Sequence, residues 1–324
     1  AGADDADGLN AHGSPFVCCV CLWEYLTCIV PNLPCTMPTV ELLRSADRTD
    51  VDRALPRPLV LCADDYAVHA PASAGIVELA RRQRLSATSV MTLSPRWAGD
   101  AAPLRELRDQ LDVGLHLDFT SPMARASGVG RSLGGMMWRT LWPVGRALTQ
   151  QWREAIERQC EAFEQHWRDA PDHVDGHQHV QQFAGLRELV LEVLQRRYPQ
   201  RPWLRVSHVA QPDVKAIIIT RWGAYAWRRQ LQAAGWRGLS PLRGAYDFNG
   251  GLEAYAQRMR QWLSQARQDG GLIMCHPAQT VDAEDSIGAA RAWEYAYLAS
   301  DAFAHDLSVA GVHLVRGSAL HFPS

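Results

Sequence analysis

A chain of 324 residues, 47% of them apolar, with a formal net charge of −2, holds enough apolar material for one large core or two ordinary ones. Its basic residues are scattered rather than gathered into a block, which argues against nucleic acid as a partner, and no internal period points to a repeat protein. No segment reads as an integral membrane span.

Residues 1–56 stand apart from the rest. Cys18, Cys19, Cys21, Cys28 and Cys35 fall here, without the paired spacing of a zinc ribbon. The apolar run Phe16 to Val30 contains Glu24, follows no basic residues and is short for a bilayer. This stretch reads as an N-terminal extension, irregular or peripheral, ahead of a domain over 57–324. In that domain Cys62, Cys160 and Cys275 are dispersed, as in a reduced cytoplasmic enzyme rather than a disulfide scaffold.

From Pro56 onward short apolar runs alternate with longer amphipathic stretches. Strands are expected at Leu59–Ala63, Thr88–Leu93, Asp112–Leu117, His173–Asp175, Trp203–Val206, Leu272–Cys275 and Gly311–Leu314. Helices are expected at Ala72–Arg82, Pro103–Leu111, Thr149–Trp167, Phe183–Arg197, Trp222–Ala234, Leu252–Gln268 and Ala289–Ser300. This βα rhythm predicts a single-domain, distorted (β/α) barrel of TIM-barrel type, with an open doubly wound sheet as the alternative. Neither a Gly-x-Gly-x-x-Gly nor a Walker-type Gly-Lys-Ser/Thr is present, so the usual nucleotide cradles are missing. Met123–Val144 breaks the rhythm and reads as a long loop over the barrel mouth.

The chemistry gathers in a few strings. Leu59 to Tyr66 is an apolar run ending in Asp64 and Asp65, two acids too costly to bury without a task. In His173 to His179 a polar side chain stands at every second position, so an extended chain turns His173, Asp175, His177 and His179 to one face. His116 and Asp118 repeat that parity on another strand. A lone histidine on an apolar face is usually a hydrogen-bonded core residue. Four alternating ionisable groups are harder to satisfy without a metal or substrate, and a carboxylate with two histidines leaves coordination positions open for water and substrate.

Four ordered strings, Ala63-Asp64-Asp65-Tyr66, Gly114-Leu115-His116-Leu117, Asp175-Gly176-His177-Gln178-His179 and Met274-Cys275-His276-Pro277, make the stretch from Pro58 to Phe322 resemble the YdjC/ChbG/HpnK-like carbohydrate deacetylases, relatives of the NodB-type polysaccharide deacetylases. The resemblance implies Asp65, His116 and His177 as ligands of one divalent ion, Mg2+ or Zn2+. It also implies Asp64 as general base and His276 as proton donor to the leaving amine or support for the oxyanion. Asp175, His179, Asp118 and Arg205 are expected to brace those groups or touch substrate. Arg291 with Glu294 reads as a helix-face pair. The implied substrate is an acetylated amino sugar, oligosaccharide or sugar-bearing lipid. Deformylation, another amide hydrolysis, or an inactive carbohydrate- or partner-binding role are the alternatives, and a homo-oligomer is compatible with all of them.

Overall fold

Parallel strands covered on both faces are buried along their length, and every residue of Ala87–Val90, Asp112–Leu117, His173–Gly176 and Trp203–Arg205 is buried, the polar ones included. The computed structural model describes residues 56–208, 223–268 and 270–320, so the expectations for residues 1–55 lie outside the described residues. In chain order the elements are β1 (Arg57–Tyr66), α1 (Ala70–Arg81), β2 (Ala87–Val90), α2 (Trp97–Arg105), β3 (Asp112–Leu117), α3 (Pro122–Ala126), α4 (Leu133–Arg139) and α5 (Arg146–Trp167). There follow β4 (His173–Gly176), α6 (Leu186–Arg197), β5 (Trp203–Arg205), α7 (Tyr225–Ala233), β6 (Gly238–Leu239), β7 (Leu242–Arg243), α8 (Gly251–Ser264), β8 (Leu272–Cys275), α9 (Gly288–Ala299), α10 (Asp301–Val309) and β9 (Val312–Leu314).

The sheet runs β6-β5-β4-β3-β2-β1-β8-β7, with β9 paired to the start of β1. Its pairings are parallel. The path ends at β6 and β7, and Leu242 N–H donates to His208 O at 3.0 Å where those ends approach. The result is a nearly closed, distorted (β/α) barrel, as the βα rhythm predicts.

Alternation sorts the side chains. On β1, Leu59, Leu61 and Ala63 pack into the large core that includes helix residues such as Ile76, Leu79 and Leu298, whereas Val60 and Cys62 join Trp203, Leu239, Leu242, Leu272 and Met274 in a smaller inner cluster. The inner row continues to Asp64 on β1, His116 on β3, Asp175 on β4 and Arg205 on β5, so it turns from apolar to ionic toward the strands' C-terminal ends. Below that ionic layer the His173 ring stacks on Trp203, centroids 4.2 Å apart, and Trp203 Nε1–H donates to Asp112 Oδ2 at 2.9 Å.

Three expectations shift. Met123–Val144 contains α3 and α4, whose first turns are capped by Ser121 and Ser132, rather than one open loop. The helix expected from Pro103 instead begins at Trp97, because Trp97, Ala101 and Leu104 form a buried stripe and the Trp97 indole donates to Ala162 O at 2.9 Å. The two-residue strands β6 and β7 are too short to leave a period in the sequence.

Candidate metal centre and active site

Successive residues of a regular strand face opposite ways, so Asp64 and Asp65 cannot both reach the barrel mouth unless the strand breaks its alternation. It does so. The pairing of β1 with β2 shifts register between Ala63 and Tyr66, and Asp65 takes φ 64°, the left-handed region that a non-glycine residue seldom adopts. The bulge turns Asp65 toward His116 and His177 while Asp64 keeps its inward place.

Asp65 Oδ1 lies 3.0 Å from His177 Nδ1 and 3.4 Å from His116 Nε2, and the three candidate ligand atoms all lie within 4.8 Å of one another. Asp65 Oδ2 is taken by Arg291, whose Nη2 donates at 2.7 Å. Burial pushes the Asp65 carboxyl up, but the Arg291 guanidinium and the two imidazoles hold it well below the usual carboxylate range.

His116 Nδ1–H donates to Asp175 Oδ1 at 2.7 Å, which fixes the ring with Nε2 turned toward Asp65. Asp175 is therefore a brace for a candidate metal ligand. Burial lowers the His116 imidazole, yet the Asp175 carboxylate overrides it and holds the ring up at about 10. The second oxygen of Asp175 accepts from Ser89 Oγ–H at 2.6 Å and lies 2.6 Å from Arg205 Nη2.

Arg205 is fully buried and braces the acids around it. Its Nη1 and Nη2 both donate to Asp64 at 2.6 Å, and Nη2 also reaches Asp175. This fork fixes Asp64 and neutralises two buried acids. Burial alone would raise the Asp64 carboxyl, and Arg205 brings it below its ordinary value.

His276 follows β8 and points its Nε2 at Asp64 Oδ2 across 3.9 Å. Its backbone N–H donates to Glu294 Oε2 at 2.5 Å, and Phe248 presents an edge to the ring with centroids 5.3 Å apart. Burial presses the His276 imidazole down to about 4 against the pull of Asp65 and Asp64, so it is neutral at pH 7, and its Nδ1 is buried without a hydrogen-bond partner. Glu294 also accepts from Tyr246 Oη–H at 2.8 Å, and burial raises it to about 7.

The expected single face of His173, Asp175, His177 and His179 does not form. β4 stops at Gly176, and a 3-10 turn follows in which Gln178 and His179 have φ 53° and 62°. His173 and Asp175 stay on the inner row, His177 swings to Asp65, and His179 Nδ1 pairs with Ser207 Oγ at 2.9 Å. Asp118 lies past the end of β3 and gives its oxygens to the N–H groups of Thr120 and Ser121 and to the Ser121 hydroxyl, so it shapes its own turn.

Arg291 and Glu294 do not pair with each other as helix neighbours. Arg291 spans Asp65 and Asp285, the latter at 2.5 Å, and Glu294 holds the backbone at His276. Their signal in the sequence is spacing, because Arg291 and Glu294 share a helix face with Ala290, Tyr297 and Leu298, and that face is the buried one. The role of Ser89 left no signal.

One carboxylate and two imidazoles, with Asp64 and His276 beside them, suit a divalent ion that keeps open positions and displaces the proton from the ring nitrogen it binds. Two other groups of metal-capable side chains among the described residues are already engaged. Arg205 sits between Asp64 and Asp175. The Ser89 hydroxyl lies among Cys62, His173 and Asp175, where burial pushes the Cys62 thiol far up.

Residues 58–308 match the family of YdjC-like proteins. A carbohydrate deacetylase of Mus musculus is 33% identical over 42% of this chain and 47% of its own length. A chitooligosaccharide deacetylase of Proteus mirabilis is 26% identical over 43% of this chain and 56% of its own. The chain thus matches about half the length of these curated relatives. A crystal structure described as that of a cellobiose-phosphate cleavage protein from Enterococcus faecalis superposes with a TM-score of 0.59 at 18% identity, covering 82% of this chain and 100% of that one, and shares the fold.

Proposed function

The chain belongs to the YdjC-like family, and on that premise we propose that it is a metal-dependent hydrolase removing the N-acetyl group from an amino sugar, an oligosaccharide or a sugar-bearing lipid. The observation that carries this reading is the convergence of Asp65, His116 and His177 beside an Arg205-held Asp64 and a buried His276. The names of the mouse and Proteus relatives support the same chemistry.

Asp65, His116 and His177 would hold the ion, with Zn2+ favoured by the imidazoles and Mg2+ accommodated with more water. A divalent ion there supplies a Lewis acid that polarises an amide carbonyl and acidifies a water. Asp64 takes the proton of the attacking water. Arg205 keeps Asp64 ionised and fixes its rotamer by two bonds at 2.6 Å, so the base is pre-oriented even though a depressed pKa makes it intrinsically weak. His276 faces Asp64 across 3.9 Å, a gap that places an acid and a base around the same volume. Neutral at rest, His276 must first take up a proton, and Asp64, 3.9 Å away and holding the proton of the attacking water, is its source, so the leaving amine is protonated after the attack and not before it.

The test measures metal content of the purified protein together with acetate release from N-acetylglucosamine oligomers, before and after chelation. Stoichiometric metal and chelator-sensitive acetate are expected. His177→Ala should lose both, whereas Asp64→Asn should keep the metal and lose turnover. Metal without acetate would move the search to other acylated amines, and no metal under replete conditions would overturn the proposal.

A further inference from the structure

Between Asp118 and Glu154 the chain has no carboxylate, while Arg125, Arg131, Arg139, Arg146 and Arg153 all lie there, in a protein whose net charge is −2. This stretch joins β3, which carries His116, to α5, and so rises from the end of the barrel that holds the site. Arg153 pairs with Glu192, but among the described residues Arg125, Arg131, Arg139 and Arg146 make no ion pair with a carboxylate. Arg125 donates to Thr120 O, and Arg139 donates to the carbonyls of Trp142 and Pro143, bonds that order the loop without neutralising it.

Beside these cations stand Trp138, Leu141 and Trp142, exposed by 64%, 62% and 58%. The two indoles are neighbours with centroids 6.4 Å apart. Their exposure is not the looseness of an unanchored segment: Met136 on the same helix is fully buried, and Val144 packs against the core. The fold buries a methionine and leaves two tryptophans and a leucine in water, a loss of several hundred square ångströms of apolar burial on the order expected for such side chains.

We propose that this α3–α4 surface docks the barrel mouth onto an anionic phospholipid bilayer. Indoles settle at the headgroup level, a leucine beside them enters the acyl boundary, and unpaired guanidinium groups are drawn to anionic headgroups. Among the described residues no helix is long and apolar enough to cross a membrane, so the contact is peripheral. A neutral oligosaccharide gives four unpaired arginines and an exposed leucine nothing to bind. The docking stands on this surface alone. Its bearing on substrate, that the amino sugar is presented from the bilayer as the head of a lipid, rests on the deacetylase reading.

The experiment is co-sedimentation of the full chain with phosphatidylcholine vesicles, with and without phosphatidylglycerol, and reads no catalysis, so its outcome is separate from that of the activity test. Binding is expected to need phosphatidylglycerol and to weaken with salt. Arg131→Gln/Arg146→Gln should lower the partition coefficient about fivefold per residue. Trp138→Ser/Trp142→Ser should lower it at least about tenfold. All four side chains project into solvent or nearly so, and unchanged far-ultraviolet circular dichroism and thermal midpoints would show that the variants are folded. The proposal fails if anionic vesicles do not carry the protein down, or if both variants bind as the parent does. It fails equally if the tryptophan variant keeps full binding while heparin displaces it, which would mark a simple polyanion site.

Discussion

Gly114→Ala probes the interior on which the site is built. A Cβ at Gly114 would stand 2.3 Å from His173 Nε2 and 2.4 Å from two ring carbons, well inside contact distance. β4 lies between β3 and β5, so the His173 ring is caught between Gly114 and Trp203, on which it already stacks at 4.2 Å. It has no room to retreat in that direction. Leaving forfeits the stack, worth about 1 kcal/mol, and the 3.2 Å contact with Ser89 Oγ, worth about another. Overpacking strain adds about 1–2 kcal/mol. The expected loss is about 3–4 kcal/mol, a fall in Tm of about 5–7 °C for a domain of this size. Urea denaturation and calorimetry measure both. Removing the obstructing ring gives the control: Gly114→Ala/His173→Ala should be more stable than Gly114→Ala alone, a strong positive coupling between neighbours. If Gly114→Ala lost under about 0.5 kcal/mol, or if the double variant were no better than the single, the packing argument would be refuted.

Two further outcomes follow from the ionic layer and a third from Asp172, at the opposite end of the barrel just before β4. Asp175→Asn, which keeps an acceptor for His116 Nδ1 but removes the charge, should weaken Zn2+ binding by about 10–100-fold in calorimetric titration while the chain stays folded; unchanged affinity would deny Asp175 its bracing role. Arg205→Met should destabilise by about 3–5 kcal/mol at pH 8, because Asp64 is left buried without its cation and Asp175 keeps only its hydrogen bonds to His116 and Ser89. At pH 5 protonation relieves them, so the loss should shrink, and equal losses at both pH values would show that their charges are not what Arg205 offsets. Burial raises the Asp172 carboxyl to about 6. Its folded pKa is thus above its unfolded one, the folded state binds the extra proton, and this group's contribution falls as pH rises from about 4 to 6. Asp172→Asn should accordingly raise stability at pH 8, by at most about 3 kcal/mol, and leave it little changed at pH 4; the reverse pH order in chemical denaturation would contradict this.

Local periodicity encodes which way a side chain faces, and that much of the protein is legible in the chain by itself. The apolar runs at β1, β3, β4, β5 and β8 and the amphipathic stretches between them specify a parallel barrel. The inward parity of His116, and the ending of β1 and β8 in Asp64 and His276, place chemistry at the strands' C-terminal ends. Convergence is another matter, because it depends on where strands stop and on elements far apart in sequence. Asp65 joins the site through a bulge and a left-handed residue, and His177 and His179 part company because β4 ends at Gly176. No period-two pattern contains either event. Nothing in the run Trp203-Leu204-Arg205 names a partner for the arginine, which the closing sheet buries between Asp64 and Asp175, and Arg291 reaches Asp65 across 226 residues of chain. Only closure of the barrel sets those distances, because a buried charge chooses its partner from whatever the long-range packing brings within reach.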